Sequence, residues 1–241
     1  MSTADPDATS RGAILLAGGR ASRMGGIDKP SLKVNGRSLL DAAVAAVTAV
    51  GCEAIVIVGP RPGDGKAPGH GREGSGGEGS GGAESGGAES GNTETTASER
   101  AGIEWRREDP PFAGPAAAIA TALAAPHPRG NPAWTFVLAC DLPHVEQAVA
   151  RLDRELGALP PDSDGACLAD ATGRSQWLTG VYRTVALRAA ASALPDAGRD
   201  QSVRALLAGL AVTTIADDAH VADDIDTWDD YERFTGDGEP E

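Results

Sequence analysis

Apolar residues along this chain come in short dense runs, set apart by polar and glycine-broken intervals, and their spacing alternates between that of a strand and that of a helix. Ala13 to Ala17 reads as a buried strand. Behind Ser38, a helix cap, Leu39, Leu40, Ala43, Val44 and Val47 recur at helical spacing and stop near Gly51. Ala54 to Val58 is a second, β-branched run. Strand, helix and strand at this spacing form a βαβ unit and predict a parallel sheet. The strand pattern resumes at Ile103-Glu104-Trp105-Arg106 and passes through a turn-rich loop from Glu108 to Pro115. Pro115 then opens an alanine helix running to Ala125. Trp134 to Ala139 is the most apolar strand of the middle region, and Val145 to Leu156 is an amphipathic helix. Gly165 to Asp170 and Trp177 to Arg183 read as two strands around Ala171-Thr172-Gly173, an antiparallel pair expected at a sheet edge. Helices follow at Val185 to Leu194 and Ser202 to Ala208, the latter capped by Asp200, and then a short strand at Val212 to Ile215. A final helix starts behind Thr227 and Asp230, which are spaced as a capping box. The pattern predicts one doubly wound α/β domain: a Rossmann-like, mixed but mostly parallel sheet.

One interval is different in kind. From Glu73 the chain nearly repeats with period five (EGSGG, EGSGG, AESGG, AESGN), and between Ala67 and Ala101 it has no apolar residue larger than alanine. Such a tract cannot bury enough surface to offset its ordering entropy, so 61–99 is expected to be a disordered insertion. It interrupts the domain without dividing it, because loop closure costs free energy only logarithmically with length. The expected organisation is a tail at 1–10, a domain over 11–235 carrying this insertion, and a tail at 236–241.

Composition narrows the function classes. The chain has 241 residues, 41% of them hydrophobic, enough for a sizeable core. A net charge of −14 argues against a nucleic-acid or membrane surface, which needs a basic face. Cys52, Cys140 and Cys167 are odd in number and far apart, without CxxC, so neither a disulfide framework nor a zinc site is expected. No apolar run approaches the ~18 residues that span a bilayer, and the polar, acidic start lacks the order of a signal peptide. A soluble, cytoplasmic protein is expected.

The candidate chemistry begins where the first strand ends. Leu16-Ala17-Gly18-Gly19 opens a loop that holds four glycines, Arg20, Arg23 and Lys29 within a dozen residues. Glycines let backbone N–H groups approach a phosphate, and fixed cations neutralise charge that amides alone cannot. It is not a Walker loop, since Asp28 precedes Lys29 and Pro30 follows it, and GxGxxG is absent. Asp141 follows the most apolar middle strand directly, in Cys140-Asp141-Leu142-Pro143, and so should stand at the sheet's carboxyl edge beside the first loop. A carboxylate there would be costly to desolvate and should meet water or a cation. Asp226 lies in Asp224-Ile225-Asp226-Thr227 among many acidic neighbours, as either a metal ligand or part of a solvated face.

The stretch from Leu16 to Lys29 resembles the LAGGxSxRMGxDK signature of the MobA-like nucleotidyltransferases, whose best-known members are molybdenum cofactor guanylyltransferases. The resemblance covers nearly the whole chain apart from 61–99 and the ends. It implies a nucleotidyltransferase fold and Mg²⁺-dependent transfer of GMP from GTP to molybdopterin, with release of pyrophosphate. By that resemblance Leu16, Ala17, Gly18, Gly19, Lys29, Asp109 and Asp141 bind the nucleotide, with Asp109 contacting guanine. Arg23, Lys29 and Asp141 are then catalytic, and Asp141 with Asp226 holds Mg²⁺. Its C-terminal element usually continues with proline where this chain has Trp228, and the asparagine expected after the second strand is missing at Val58-Gly59-Pro60. Gly18 favours the guanylyl branch over the cytidylyl one. Cytidylyl transfer, sugar-phosphate nucleotidyl transfer and a non-catalytic nucleotide-binding regulator remain alternatives. The implied partners are GTP, a phosphorylated small-molecule acceptor and transfer proteins of cofactor biosynthesis.

Overall fold

The computed structural model describes residues 9–18, 29–61, 102–217 and 219–236. The insertion expected at 61–99 and both tails lie almost wholly outside the described residues, as do Gly19 and Arg23.

Among the described residues one main sheet carries β1 (Arg11–Leu16), β4 (Cys52–Val58), β5 (Ile103–Arg106), β6 (Trp134–Ala139), β7 (Gly165–Ala169), β8 (Ser175–Arg183) and β9 (Val212–Ile215). Their spatial order is β5-β4-β1-β6-β8-β7-β9. A small second sheet pairs β2 (Lys33–Val34) with β3 (Arg37–Ser38). The helices are α1 (Leu39–Ala49), α2 (Pro115–Leu123), α3 (Val145–Glu155), α4 (Thr184–Ala193), α5 (Val203–Leu207) and α6 (Trp228–Thr235).

β1 shows why its sequence does not alternate polar and apolar. Ala13, Leu15 and Ala17 enter one core with α1 and α3, while Ile14 and Leu16 enter another with α2, α4 and α5. Both faces are covered, so every position from Ala13 on is apolar, as in a parallel sheet sandwiched by helices. β4 divides the same way, Ile55 and Ile57 to the first core and Val56 and Val58 to the second. The cores are mostly aliphatic; the slim alanines of α2 let that helix lie close on the sheet.

The caps expected at Ser38 and at Thr227 with Asp230 are present: Ser38 accepts from the Asp41 amide at 3.0 Å, and the Thr227–Asp230 box is reciprocal. Two local expectations need correcting. α5 is capped by Ser202, which accepts from the Ala205 amide; Asp200 instead sits at φ +57° and donates its amide to the Ala113 carbonyl. The antiparallel strand is also not at an edge. β8 lies inside the sheet, antiparallel to both β6 and β7, and β9 forms the edge, parallel to β7. The β7–β8 hairpin folds back so that its second strand, and not its first, meets β6, which leaves β7 free to accept β9.

The β5 edge is tied down by Arg106. Its guanidinium forks onto Glu104, with Nε at 2.9 Å and Nη2 at 3.0 Å, and its Nη1 donates to the carbonyls of Thr121, Ala122 and Ala125 at the end of α2. One cation thereby meets the carbonyls of a helix end, Thr121 already accepting from the Ala124 amide, and the hydrogen bond from Arg106 lowers the Glu104 pKa. The loop that follows, Arg107 to Gly114, starts from a fixed point.

Candidate functional site

The strand order places the site. From β1 the chain moves to β4 and on to β5, then returns across the sheet to lay β6 on the other side of β1. Successive connections diverge between β1 and β6, and a doubly wound sheet opens its ligand crevice at the carboxyl ends of such a pair. The ladder is closed right up to that edge. Ala17 N–H donates to the Val58 carbonyl at 2.9 Å, Cys140 N–H to Leu16 at 3.2 Å and Gly59 N–H to Arg106 at 3.0 Å. The next residues, Gly18 and Asp141, are where the chain leaves the sheet.

A C-terminal segment then comes back to this edge. Ile225 donates its amide to the Asp141 carbonyl at 3.0 Å, and its side chain is fully buried with Leu32, Val34 and Leu39, packed by Tyr231 and Phe234. Residues two apart in an extended segment share a side. With Ile225 turned into this small core, Asp224 and Asp226 fall on the opposite side, toward Asp141. The same core carries the turn Lys29–Ser31, because Leu32 N–H is bonded to the Lys29 carbonyl and Tyr231 Oη donates to the Lys33 carbonyl. One apolar cluster thus holds both the lysine and two of the acids in place.

The result is a compact charged group. Asp141, Asp224 and Asp226 each present a carboxylate oxygen within 4.8 Å of the others. Lys29 Nζ lies 2.8 Å from Asp226 Oδ1 and 3.8 Å from Asp141 Oδ2. Asp141, expected at an exposed strand end, is instead largely enclosed: its side chain keeps 24% of its exposure, and Oδ1 is buried without a hydrogen-bond partner among the described residues. Burial first, then repulsion from Asp224 and Asp226, raises its pKa to about 6 against the opposing pull of Lys29. Asp224 is also raised, by burial and by Asp226. Among the described residues three short carboxylates face one ammonium, and a buried carboxylate oxygen without a donor is costly unless a cation meets it. Hard oxygen donors of this kind suit Mg²⁺ or Mn²⁺.

Of the residues singled out from the sequence, Lys29, Asp141 and Asp226 come together. Leu16, Ala17 and Gly18 end β1 beside them. Asp109 lies after β5, exposed, on the rim of a cleft. Asp224 was missed as a member of the group. Its signal is the alternation Asp-Ile-Asp, which reads as one buried side and one acidic side once the segment is extended.

Residues 13–215 match the model of the MobA-like NTP transferase domain. The chain belongs to that family. MobA-like sequences with a curated description include the probable molybdenum cofactor guanylyltransferase of Synechococcus elongatus, 28% identical over 190 residues, which is 78% of this chain and 79% of that protein. Among solved structures, the molybdopterin-guanine dinucleotide biosynthesis protein A of Archaeoglobus fulgidus has a TM-score of 0.58 at 17% identity, covering 94% of this chain and 97% of its own. Rv0371c of Mycobacterium tuberculosis, in complex with manganese, has a TM-score of 0.57 at 19% identity, covering 95% and 100%. These structures share the nucleotidyltransferase fold seen here. Among the described residues no helix is long and apolar enough to cross a membrane.

Two glycines of this MobA-like edge should respond differently to alanine. A Cβ on Gly59 would stand 2.8 Å from the Ala17 carbonyl carbon, a backbone clash between the exits of β1 and β4. Gly59→Ala is expected to cost about 1–3 kcal/mol. A Cβ on Gly18 would meet nothing nearer than 3.8 Å, so Gly18→Ala should leave the melting temperature within a degree or two of wild type. Ile225→Ala should cost roughly 2–5 kcal/mol through the cavity it leaves, and should weaken divalent-cation binding with it. Thermal denaturation, with and without added Mn²⁺, checks all three.

Proposed function

We propose that this MobA-like protein transfers GMP from GTP to the terminal phosphate of molybdopterin, or of its metal-bearing form, and releases pyrophosphate. The observation that carries the reading is the meeting of Lys29 with Asp141, Asp224 and Asp226 at the crevice between β1 and β6. The descriptions of the cyanobacterial relative and the archaeal fold neighbour support the nucleotide and the acceptor, and the manganese complex of the mycobacterial neighbour supports a divalent cation.

An acceptor phosphate oxygen is already an anion, so its attack on the α-phosphorus needs no nucleophile or strong base from the protein. The bond to the β-phosphate oxygen breaks, and pyrophosphate carries away the charge. The protein's work is positioning and neutralisation. Gly18 leaves the backbone at the end of β1 open to a phosphate, and the family resemblance gives Gly19 an amide and Arg23 a positive charge for the same triphosphate. Lys29 sets a fixed positive charge against the triphosphate. Asp141 and Asp226, joined by Asp224, would hold Mg²⁺. When bound, that ion supplies charge neutralisation at the phosphoryl oxygens. Its affinity should rise with pH through about 6, because the Asp141 proton must leave first.

The test is mass spectrometry of the products formed from each nucleoside triphosphate with a panel of phosphorylated acceptors. The reading expects a GMP adduct of molybdopterin together with pyrophosphate. An adduct with a sugar phosphate, or nucleotide binding without pyrophosphate, overturns it.

A further inference from the structure

β8 is regular toward β6 and irregular toward β7. Against β6 its antiparallel register runs unbroken from Trp134 opposite Arg183 to Leu138 opposite Thr179. Against β7 it jumps: Cys167 lies opposite Gly180, and the next residue, Leu168, lies opposite Gln176. Trp177, Leu178 and Thr179 are thus extra residues on the β7 side, an enlarged bulge. Bulges disrupt the ladder, and they collect beside active sites because they re-aim a side chain. This one is braced from both ends. Tyr182, fully buried, donates its Oη to the Trp177 carbonyl at 2.7 Å. Gly180 makes the room, since a Cβ there would stand 2.6 Å from that Oη. A glycine weakens a strand interior and marks a place where another group must come close. On the other side, Gln176 donates its side-chain amide to Asp170 Oδ2 at 2.8 Å.

What the bulge presents is Trp177, partly exposed and resting with Leu178 on the second core. Continued two residues past its last pair, the β6–β8 register sets Trp177 opposite Cys140. That is one strand spacing, about 4.8 Å, from the backbone that carries Asp141. β6 separates β8 from β1, so this tryptophan and the glycine at the end of β1 flank the exit of β6 from opposite sides. We propose that Trp177 is the platform on which the acceptor's ring system stacks; this rests on the molybdopterin reading above and deepens it. With the nucleotide's phosphates at the end of β1 and against Asp141, the attacking phosphate must reach them from another side, and β8 borders that side. The acceptor is a phosphate carried on a flat, polar heterocycle, and an indole offers a flat π surface to it. Stacking adds no further charge to the crowded acids. It fixes the plane of the ring, and with it the line along which the phosphate at the far end meets the α-phosphorus.

The experiment is steady-state kinetics of the full chain with GTP and molybdopterin, for wild type, Trp177→Leu, Trp177→Phe and Tyr182→Phe, with thermal denaturation of each. Trp177→Leu keeps an apolar side chain on the core and should raise the acceptor KM about tenfold or more, the worth of one aromatic stacking contact. Its kcat and its KM for GTP should stay close to wild type. Trp177→Phe restores a ring and should recover most of the loss. Tyr182→Phe releases the Trp177 carbonyl and should raise the acceptor KM about threefold or more, the worth of one neutral hydrogen bond, with the KM for GTP unchanged. It decides the matter should Trp177→Leu fail to fold. An unchanged acceptor KM in Trp177→Leu, or in Tyr182→Phe where that is the variant that folds, overturns the assignment. So does a Trp177→Phe variant as impaired as Trp177→Leu, because the residue would then act by filling space. In each of these cases wild type still makes the adduct, and the guanylyl-transfer reading stands. Wild-type protein that makes no molybdopterin adduct overturns both.

Discussion

Replacing Asp141 with asparagine is expected to abolish turnover and, without divalent cations, to make the protein more stable. The two effects have one origin. Asp141 is held in the crevice with Oδ1 buried and unbonded among the described residues, and with two further carboxylates within 4.8 Å. A pKa raised from 3.8 to about 6 means that the folded chain holds a proton there which the unfolded chain has already released. Stability contributed by this group is therefore present at low pH and falls as pH rises through the window from about 4 to about 6. A shift of that size corresponds to something on the order of 2–3 kcal/mol by pH 7. Asparagine carries no charge and escapes the loss. Denaturation of metal-free protein should show the variant overtaking wild type as pH rises from 4 to 7, with Mg²⁺ stabilising wild type alone. Turnover should fall by at least ~10², the order found on removing one electrostatic stabiliser. A variant that is less stable than wild type at pH 7, or one still active, would show that this carboxylate is not the strained member of the group.

Lys29→Met is expected to lose activity to a similar degree with stability moving the other way. Lys29 Nζ, 2.8 Å from Asp226 and 3.8 Å from Asp141, is among the described residues the positive charge beside the three acids, and its side chain is 15% exposed. Removing one partner of an enclosed ion pair leaves its charge uncompensated. With Asp226 44% exposed, solvent screens much of that, and a loss of roughly 1–3 kcal/mol is expected. Mg²⁺ should restore part of it. The double variant Lys29→Met with Asp226→Asn should recover stability and remain inactive. Denaturant titrations with and without Mg²⁺ check the signs. Equal losses in the single and double variants would mean that the lysine acts through packing and not through charge.

Most of the architecture is legible in the sequence because both faces of the central sheet are covered: β1, β4 and β6 are apolar over most of their length, and such runs stand out. The caps are equally local. Ser38 and the Thr227–Asp230 pair declare themselves by side-chain chemistry at fixed spacing. What escapes is set by distant pairing. Nothing within Gly165 to Arg183 says which strand of the hairpin will meet β6, so β8 was expected at an edge and lies inside. The β2–β3 hairpin is a missed local signal, since Asn35-Gly36, both at positive φ, is the sequence of a two-residue turn. At the site, Asp141 and Lys29 are readable from their places after strand and loop. The burial of Asp141 is not, because it depends on Ile225, more than eighty positions away, docking onto its carbonyl. Asp224 is hidden for a related reason: it sits beside Asp226, which has the stronger motif, and only the fold shows that both turn toward Asp141.

The central claim is that the three aspartates form a cation site beside the nucleotide's phosphates. Crystals grown with GTP and Mn²⁺, measured for manganese anomalous scattering, test it most directly. The account predicts one anomalous peak bonded to Asp141 and Asp226, with Asp224 adjoining, Lys29 drawn off Asp226 and a nucleotide phosphate in contact with the ion. GTP bound with no peak between those carboxylates, or with Lys29 still seated on Asp226, would contradict it.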